Sequence, residues 1–107
     1  MDLATASSVL RLLADPTRVR LLALLEHEEL TVAELAAVLH LAPPRVSTHL
    51  AKLKEAGLVR DRRAGVSAYY RANNEGDEAQ HSLLGSLREN IDDALLREDS
   101  ARLPGVL

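Results

Sequence analysis

Apolar residues recur every three or four positions near the start of the chain, and this spacing predicts two helices. The first covers about residues 3–14, where Leu3 and Leu10 fall on one apolar stripe. The second begins at Pro16, because Asp15 is a favourable N-cap and proline is tolerated in the first helical turn. Its apolar positions are so broadly spread that we expect most of its sides to be buried.

A pair of shorter helices joined by a tight connection is predicted next. Thr31 and Glu34 have the spacing of a capping box, which starts a helix that ends near His40. A fourth helix follows over about residues 44–56, with apolar positions spaced by four and three residues and a stop at Gly57.

Two adjacent prolines precede this fourth helix in the stretch "LAPPRVSTHL". A residue before proline is pushed out of the helical region, so we expect Pro43 to be the cap. Pro44 is then the first helical residue, where its missing N–H has no cost. The helix should therefore begin without a side-chain cap.

After the fourth helix the apolar spacing becomes alternating. "LVRDRR" and "VSAYYRA" flank Gly65 and predict a two-stranded hairpin. A last helix is predicted over about residues 77–99, and the Pro-Gly pair at 104–105 is expected to stop it.

The predicted elements form one domain over residues 1–107. Their order, α-α-α-α-β-β-α, is mainly α (α+β) and matches a winged helix-turn-helix fold. The helix-turn-helix covers about residues 31–56, and the hairpin, or wing, covers about residues 57–72.

The charge along the chain is uneven. The net charge is −3, which by itself argues against a nucleic-acid partner. Residues 40–72, however, hold seven lysines and arginines against two acids, while both flanking segments are acidic. A basic middle segment in this element order favours binding of double-stranded DNA.

The second helix of a helix-turn-helix enters the major groove. With Val46, Leu50 and Leu53 turned to the core, the outward residues are the candidate DNA contacts: Arg45, Ser47, Thr48, His49 and Lys52. In the wing, Arg62 and Arg63 are candidates for the backbone or minor groove. Strand alternation places Arg60 and Arg62 on one face, so not every arginine of the hairpin can reach DNA.

Four stretches, "LADPTRVRLLALL", "LTVAELAAVL", "RVSTHLAKLKEAGLVRDRRAG" and "YYR", resemble the ArsR/SmtB family of bacterial winged-helix repressors. The resemblance covers residues 7–72 closely and the last helix loosely. It implies a homodimer that binds an inverted-repeat operator and releases it when an effector binds.

The same resemblance implies that the first and last helices form the dimer interface. Two apolar stripes fit this expectation, and their candidate interface residues are Leu3, Leu10, Leu84, Leu87, Ile91 and Leu95. The alternative is that the two stripes pack only against each other within one chain.

Many members of the resembled family sense metals, and this sequence departs from both of their site patterns. Thr31 and Ala33 stand where one site has cysteines, and the chain contains no cysteine. On the last helix, His81 and Asp92 lack the remaining ligands that zinc requires. We expect no metal and no cofactor, and the sequence identifies no effector.

The residues indicate neither an enzyme nor a membrane protein. No nucleophile elbow or glycine-rich phosphate loop is present, and no apolar run is long enough to cross a membrane. The start of the chain does not resemble a signal peptide, so we expect a cytoplasmic protein. The alternative function is a protein–protein or regulatory module of a larger enzyme such as a methyltransferase, because "REDSARL" resembles the junction in some regulators that continue into one.

Overall fold

The computed structural model describes residues 1–76 and 78–107, and Asp77, at the predicted start of the last helix, lies outside them. The described residues form six helices and an antiparallel hairpin. The elements are α1 (Leu3–Leu13), α2 (Pro16–Leu25), α3 (Val32–Leu39), α4 (Pro43–Glu55), β1 (Val59–Ala64), β2 (Ser67–Ala72), α5 (Glu78–Asn90) and α6 (Ala94–Val106).

The predicted helix starts of α2 and α3 are confirmed. Asp15 caps α2 by accepting a hydrogen bond from the Thr17 amide over 2.8 Å. The capping box of α3 is complete, with bonds of 3.2 Å and 2.9 Å exchanged between Thr31 and Glu34. These side chains satisfy amides that a helix N-terminus otherwise leaves without partners.

The predicted start of α4 is wrong by one residue. The cap is Ala42, which is extended and makes no side-chain cap bond, and both prolines lie inside the first turn. This is possible because the first-turn amides have no intrahelical acceptors, so each proline loses a donor that the helix does not need. Ala42 is extended, as expected for a residue before proline, whereas Pro43 lies within the helix although it also precedes a proline.

The prediction of one last helix over residues 77–99 is also wrong. The chain leaves helical geometry over residues 91–93, and Asp93 caps a separate helix by accepting from the Leu95 amide over 2.8 Å. That helix passes through Pro104, which was expected to stop it. The proline lies in the final turn and removes a single donor to the carbonyl of the exposed Ser100, which water can satisfy.

The core lies between α2, α3, α4 and the hairpin. Its fully buried side chains include Leu21, Leu35, Leu50 and Leu53. α3 and α4 are adjacent helices joined by residues 40–42, which makes them the helix-turn-helix pair.

A contact missed from the sequence anchors the hairpin. Leu30 pairs with Tyr70 through two backbone hydrogen bonds of 3.0 Å and 2.8 Å, which adds one bridge beside β2. The wing is thereby fixed to the segment that leads into α3. Among the described residues, no helix combines the length and the apolar character needed to cross a membrane.

Candidate nucleic-acid interface

α4 has one buried face and one exposed face, as its apolar spacing predicted. Val46, Leu50 and Leu53 are completely buried. The other face presents the exposed side chains of Arg45, Ser47, Thr48 and Lys52, with His49 half-buried at its edge. All five predicted contact residues of α4 therefore lie outside its fully buried stripe.

Arg45 lies in the first turn of α4, where the helix dipole disfavours a cation. Its side chain is exposed and has no hydrogen bond or ion pair within the described residues. An external anion at this position would remove the electrostatic penalty. Arg45 is thus available for a phosphate or for the paired acceptors on a guanine edge.

The backbone at the start of α4 offers little to an anion. Pro43 and Pro44 have no N–H, and the amides of Arg45 and Val46 both bond to the Ala42 carbonyl over 3.0 Å and 3.3 Å. The usual amide contribution of a helix N-terminus to phosphate binding is therefore reduced. Recognition by this end of α4 depends on side chains.

Thr48 and His49 already have partners inside the protein. The Thr48 hydroxyl donates to the Pro44 carbonyl over 3.0 Å, which leaves its oxygen as an acceptor and its methyl group exposed to a partner. Nδ1 of His49 accepts a hydrogen bond from Nε of Arg18 over 3.1 Å. An acceptor at Nδ1 places the proton of the neutral ring on Nε2.

The environment of His49 favours this neutral ring. Burial is the largest cause of a lowered pKa at His49, and the charges of Arg18 and Arg45 lower it further, against the opposing effect of Asp15. Nε2 of His49 is therefore a hydrogen-bond donor without a full positive charge.

The two arginines of the wing differ in their surroundings. Arg62 donates two hydrogen bonds to Glu29, of 2.8 Å and 3.0 Å, and lies 5.0 Å from the centre of the Tyr69 ring. The bond from Arg62 lowers the pKa of Glu29. Arg63 is exposed and has no partner within the described part of the chain.

The strand register separates these two arginines. Arg62 pairs with Tyr69, whereas Arg63 shares the opposite face with Asp61, whose carboxylate bonds to Lys54 of α4 over 2.9 Å. Arg63 therefore lies on the side of the hairpin that faces the C-terminal end of α4. The tip between the strands is formed by Gly65, at φ 62°, and the almost fully exposed Val66.

Arg18 belongs to the basic surface around α4, and the sequence alone did not single it out. It lines a surface groove together with Arg11, Lys52 and Glu55, so cations from α1, α2 and α4 lie close together beside one carboxylate. A second bond, from Nη1 to the Leu12 carbonyl over 3.2 Å, holds its side chain in place. The bond between Arg18 and His49 joins residues 31 positions apart, and local apolar spacing carries no signal for such a pair.

The predicted interface residues fall into two groups. Leu3 and Leu10 on α1 are 83% and 55% exposed, and Ile91 and Leu95 remain more than one-third exposed. Leu84 and Leu87 of α5 are half-buried and line an apolar cavity against α2. The single chain therefore covers part of the α5 stripe but leaves the α1 stripe open.

His81, the histidine considered as a zinc ligand, is engaged elsewhere. Its Nε2 lies 2.7 Å from the Asn73 carbonyl and therefore carries the proton of this hydrogen bond. No group of three or more potential metal ligands is found among residues 1–76 and 78–107.

The chain is similar in sequence to known bacterial regulatory proteins. Residues 15–61 match the sequence profile of bacterial regulatory proteins of the arsR family. The chain is 45% identical over 75 residues to the arsenic resistance transcriptional regulator ArsR1 of Pseudomonas putida, covering 69% of this chain and 59% of that protein. ArsR2 of the same organism is 40% identical over 81 residues, covering 75% of this chain and 70% of ArsR2.

A solved structure matches over a longer stretch. It is the homodimeric winged helix-turn-helix DNA-binding domain of Mb0332 from Mycobacterium bovis, described as a possible ArsR-family regulator. The TM-score is 0.70 at 29% identity, and the match covers 84% of each chain. The fold of this chain is therefore a winged helix-turn-helix.

Proposed function

The chain belongs to the ArsR family of bacterial regulatory proteins, and we propose that it is a homodimeric repressor that binds an inverted-repeat operator in double-stranded DNA. The observation that carries this proposal is the set of cations without internal partners on one surface. Arg45 and Lys52 lie on the exposed face of α4, and Arg63 lies on the hairpin face beside that helix. A bacterial repressor of transcription acts in the cytoplasm, where the chromosome lies.

In this proposal α4 is the recognition helix in the major groove. Arg45 contacts base edges, Ser47 and Thr48 contact bases or phosphates, and His49 donates from Nε2 to a base acceptor. Lys52 lies more than two helical turns after the start of α4 and contacts phosphate. Because the backbone at the start of α4 contributes few amides, discrimination between bases rests chiefly on Arg45.

The wing lies along the DNA backbone or minor groove. Arg63 is its principal contact because the guanidinium is exposed and has no internal partner. Arg62 also contributes, but it must exchange its two bonds to Glu29 for bonds to phosphate, so its net effect is smaller.

The dimer places two recognition helices about one DNA turn, ~34 Å, apart. Its interface uses the exposed apolar residues of α1 together with the stripe that passes from α5 into α6, namely Leu3, Leu10, Leu84, Leu87, Ile91 and Leu95. Burying these side chains against a second copy removes apolar surface that a single chain leaves in water. Residues 1–107 act as one domain, with no bound metal or cofactor.

Selection from a pool of randomised DNA duplexes tests this function. We expect the purified chain to enrich an inverted repeat, and sedimentation of the complex to give two chains per duplex. Arg45→Ala serves as the comparison, since it should enrich a less defined sequence from the same pool. Enrichment of no sequence at low salt, or a complex with one chain per duplex, would contradict the proposal.

A further inference from the structure

Asp99 is a buried carboxylate to which the proposed DNA contacts assign no role. It lies on the inner face of α6, is 1% exposed, and is held by two arginines. Arg20 of α2 donates from Nε and Nη2 over 2.8 Å each, and Arg102 donates from Nη2 over 2.7 Å. We call these three residues the Asp99 cluster.

The Asp99 cluster also bonds to the end of α3. Nη2 of Arg20 donates to the Leu39 carbonyl over 3.3 Å, and Nε of Arg102 donates to the Val38 carbonyl over 2.8 Å. Carbonyls in the last turn of a helix have no intrahelical partners, and cations there are favoured by the helix dipole. The two guanidinium groups therefore connect the carboxylate of α6 to the C-terminal turn of α3.

The next residues form the connection to the recognition helix. His40 has the left-handed φ of 56°, and the Leu41 amide bonds back to the Ala36 carbonyl over 3.1 Å. Two residues later Pro43 begins α4. The direction of α4 thus depends on the last turn of α3, to which the Asp99 cluster is bonded.

Packing alone does not explain a charge at this position. α6 also contributes Leu103 and Val106 to the core, so an apolar residue at 99 would continue the same stripe. A buried ion pair adds little net stability over apolar packing, but it allows only arrangements in which every member keeps its partners. Such a cluster can constrain geometry even where it adds little net stability.

We propose that Asp99 is a positioning residue for DNA recognition: through Arg20 and Arg102 it fixes the last turn of α3 and so sets the orientation of α4. This inference rests on the proposed DNA-binding function. It also assigns α6 a role different from dimerisation, since the helix supports the helix-turn-helix of its own chain.

Hydrogen exchange in the full chain without DNA tests the structural half of the inference. Asp99→Asn keeps the shape of the side chain and removes its charge, and Asp92→Asn, at an exposed carboxylate before α6, is the matched control. We expect faster exchange in α6 and at the amides within residues 41–46, namely Leu41, Ala42, Arg45 and Val46, for Asp99→Asn only, with the hairpin unchanged. Faster exchange confined to α6, or no change, would overturn the inference.

DNA affinity tests the functional half. We expect Asp99→Asn to weaken binding to the selected duplex by about tenfold, with a smaller loss on unrelated DNA. Asp92→Asn should leave both affinities unchanged. If wild type binds no DNA while exchange changes as expected, the proposed function fails and the structural coupling stands; if Asp99→Asn loosens residues 41–46 but binds like wild type, the positioning role fails.

A second pair of variants covers the case in which Asp99→Asn does not fold. Arg102→Met leaves the bonds between Arg20 and Asp99 in place and removes the bond to the Val38 carbonyl. Arg97→Met changes an exposed arginine of the same helix. We expect faster exchange at residues 41–46 and weaker specific binding for Arg102→Met only, and equal behaviour of the two variants would overturn the inference.

Discussion

Nε of Arg18 donates a hydrogen bond to Nδ1 of His49 over 3.1 Å, and this bond joins α2 to the edge of the recognition helix. The bond requires a neutral imidazole, because a protonated ring has no acceptor nitrogen. Protonation would break the bond and leave a cation near Arg18, Arg45 and Lys52, all of which lower the pKa of His49 after the larger effect of burial.

This environment predicts a pH dependence of stability. The pKa of His49 is lowered in the folded chain, whereas in the unfolded chain it lies near its ordinary value of about 6.5. Between these two pKa values the unfolded state binds more protons. The contribution of His49 to the free energy of unfolding is therefore complete above about pH 6.5 and is lost as the pH falls through the lowered pKa.

His49→Asn is the comparison for this prediction, because the amide oxygen can accept from Arg18 and does not titrate. We expect the free energy of unfolding of wild type, relative to the variant, to decrease from about pH 7.5 to about pH 5. The other histidines are common to both proteins and cancel in the difference. Urea unfolding at each pH measures it, and a constant or increasing difference would contradict the assignment.

Arg45 is predicted to determine base preference. Arg45→Ala should reduce discrimination against single-base changes at one position of each half-site by about 1–3 kcal/mol, because bidentate contacts to a base edge are lost. Lys52→Ala is the control and should weaken all duplexes about equally. Competition binding with a panel of single-base variants measures both effects, and an unaltered base preference in Arg45→Ala would assign recognition to other residues.

The two wing arginines are predicted to differ in their salt dependence. Arg63→Ala should reduce the magnitude of the slope of log K against log salt by about 1.8, that is, by about 0.9 for each of the two phosphate contacts that the dimer loses. Arg62→Ala should change the slope less, because Arg62 is bonded to Glu29 in the free protein. Anisotropy titrations at several salt concentrations measure the slope for both variants. A larger change of slope for Arg62→Ala than for Arg63→Ala would contradict the proposed roles.

The α1 stripe is predicted to lie in the dimer interface. Leu10→Glu should raise the dissociation constant of the dimer at least about tenfold, because the charge would have to be buried. Val66→Glu is the matched control, since Val66 is even more exposed but lies at the tip of the wing. Sedimentation velocity without DNA distinguishes the two variants. A dimer unaffected by Leu10→Glu would show that Leu10 lies outside the interface.

Gly57 is predicted to be required for its backbone conformation rather than for space. Its φ is +78° and no atom lies within 4 Å of an added Cβ, so Gly57→Ala should destabilise the fold by about 1–2 kcal/mol through strain alone. Gly105→Ala is the control, since it is helical, equally open and should be neutral or stabilising. Thermal unfolding measures the stability of both variants, and equal stability of Gly57→Ala and wild type would contradict the prediction.

Local sequence signals predicted the centre of the molecule well. The caps at Asp15 and Thr31, the buried face of α4 and the hairpin turn at Gly65 each depend on residues a few positions apart. Interactions over such short separations repeat in every protein that uses the motif. The order of elements could therefore be predicted as far as the end of the wing.

The C-terminal third required information that local spacing does not contain. Leu96, Asp99, Leu103 and Val106 have helical spacing, but the Pro-Gly pair at 104–105 was expected to stop the helix. The partner of Asp99 is Arg20, which is 79 positions away in the sequence. Pairs such as Arg62 and Glu29 escaped prediction for the same reason.

The most direct test of DNA recognition is the affinity of the full chain for its selected inverted repeat and for a scrambled duplex of equal composition, measured by fluorescence anisotropy over a range of salt. We predict one dimer per duplex, tighter binding to the inverted repeat by about a thousandfold or more, and a linear fall of log K with log salt. Equal affinity for the two duplexes at every salt concentration would contradict sequence-specific repression.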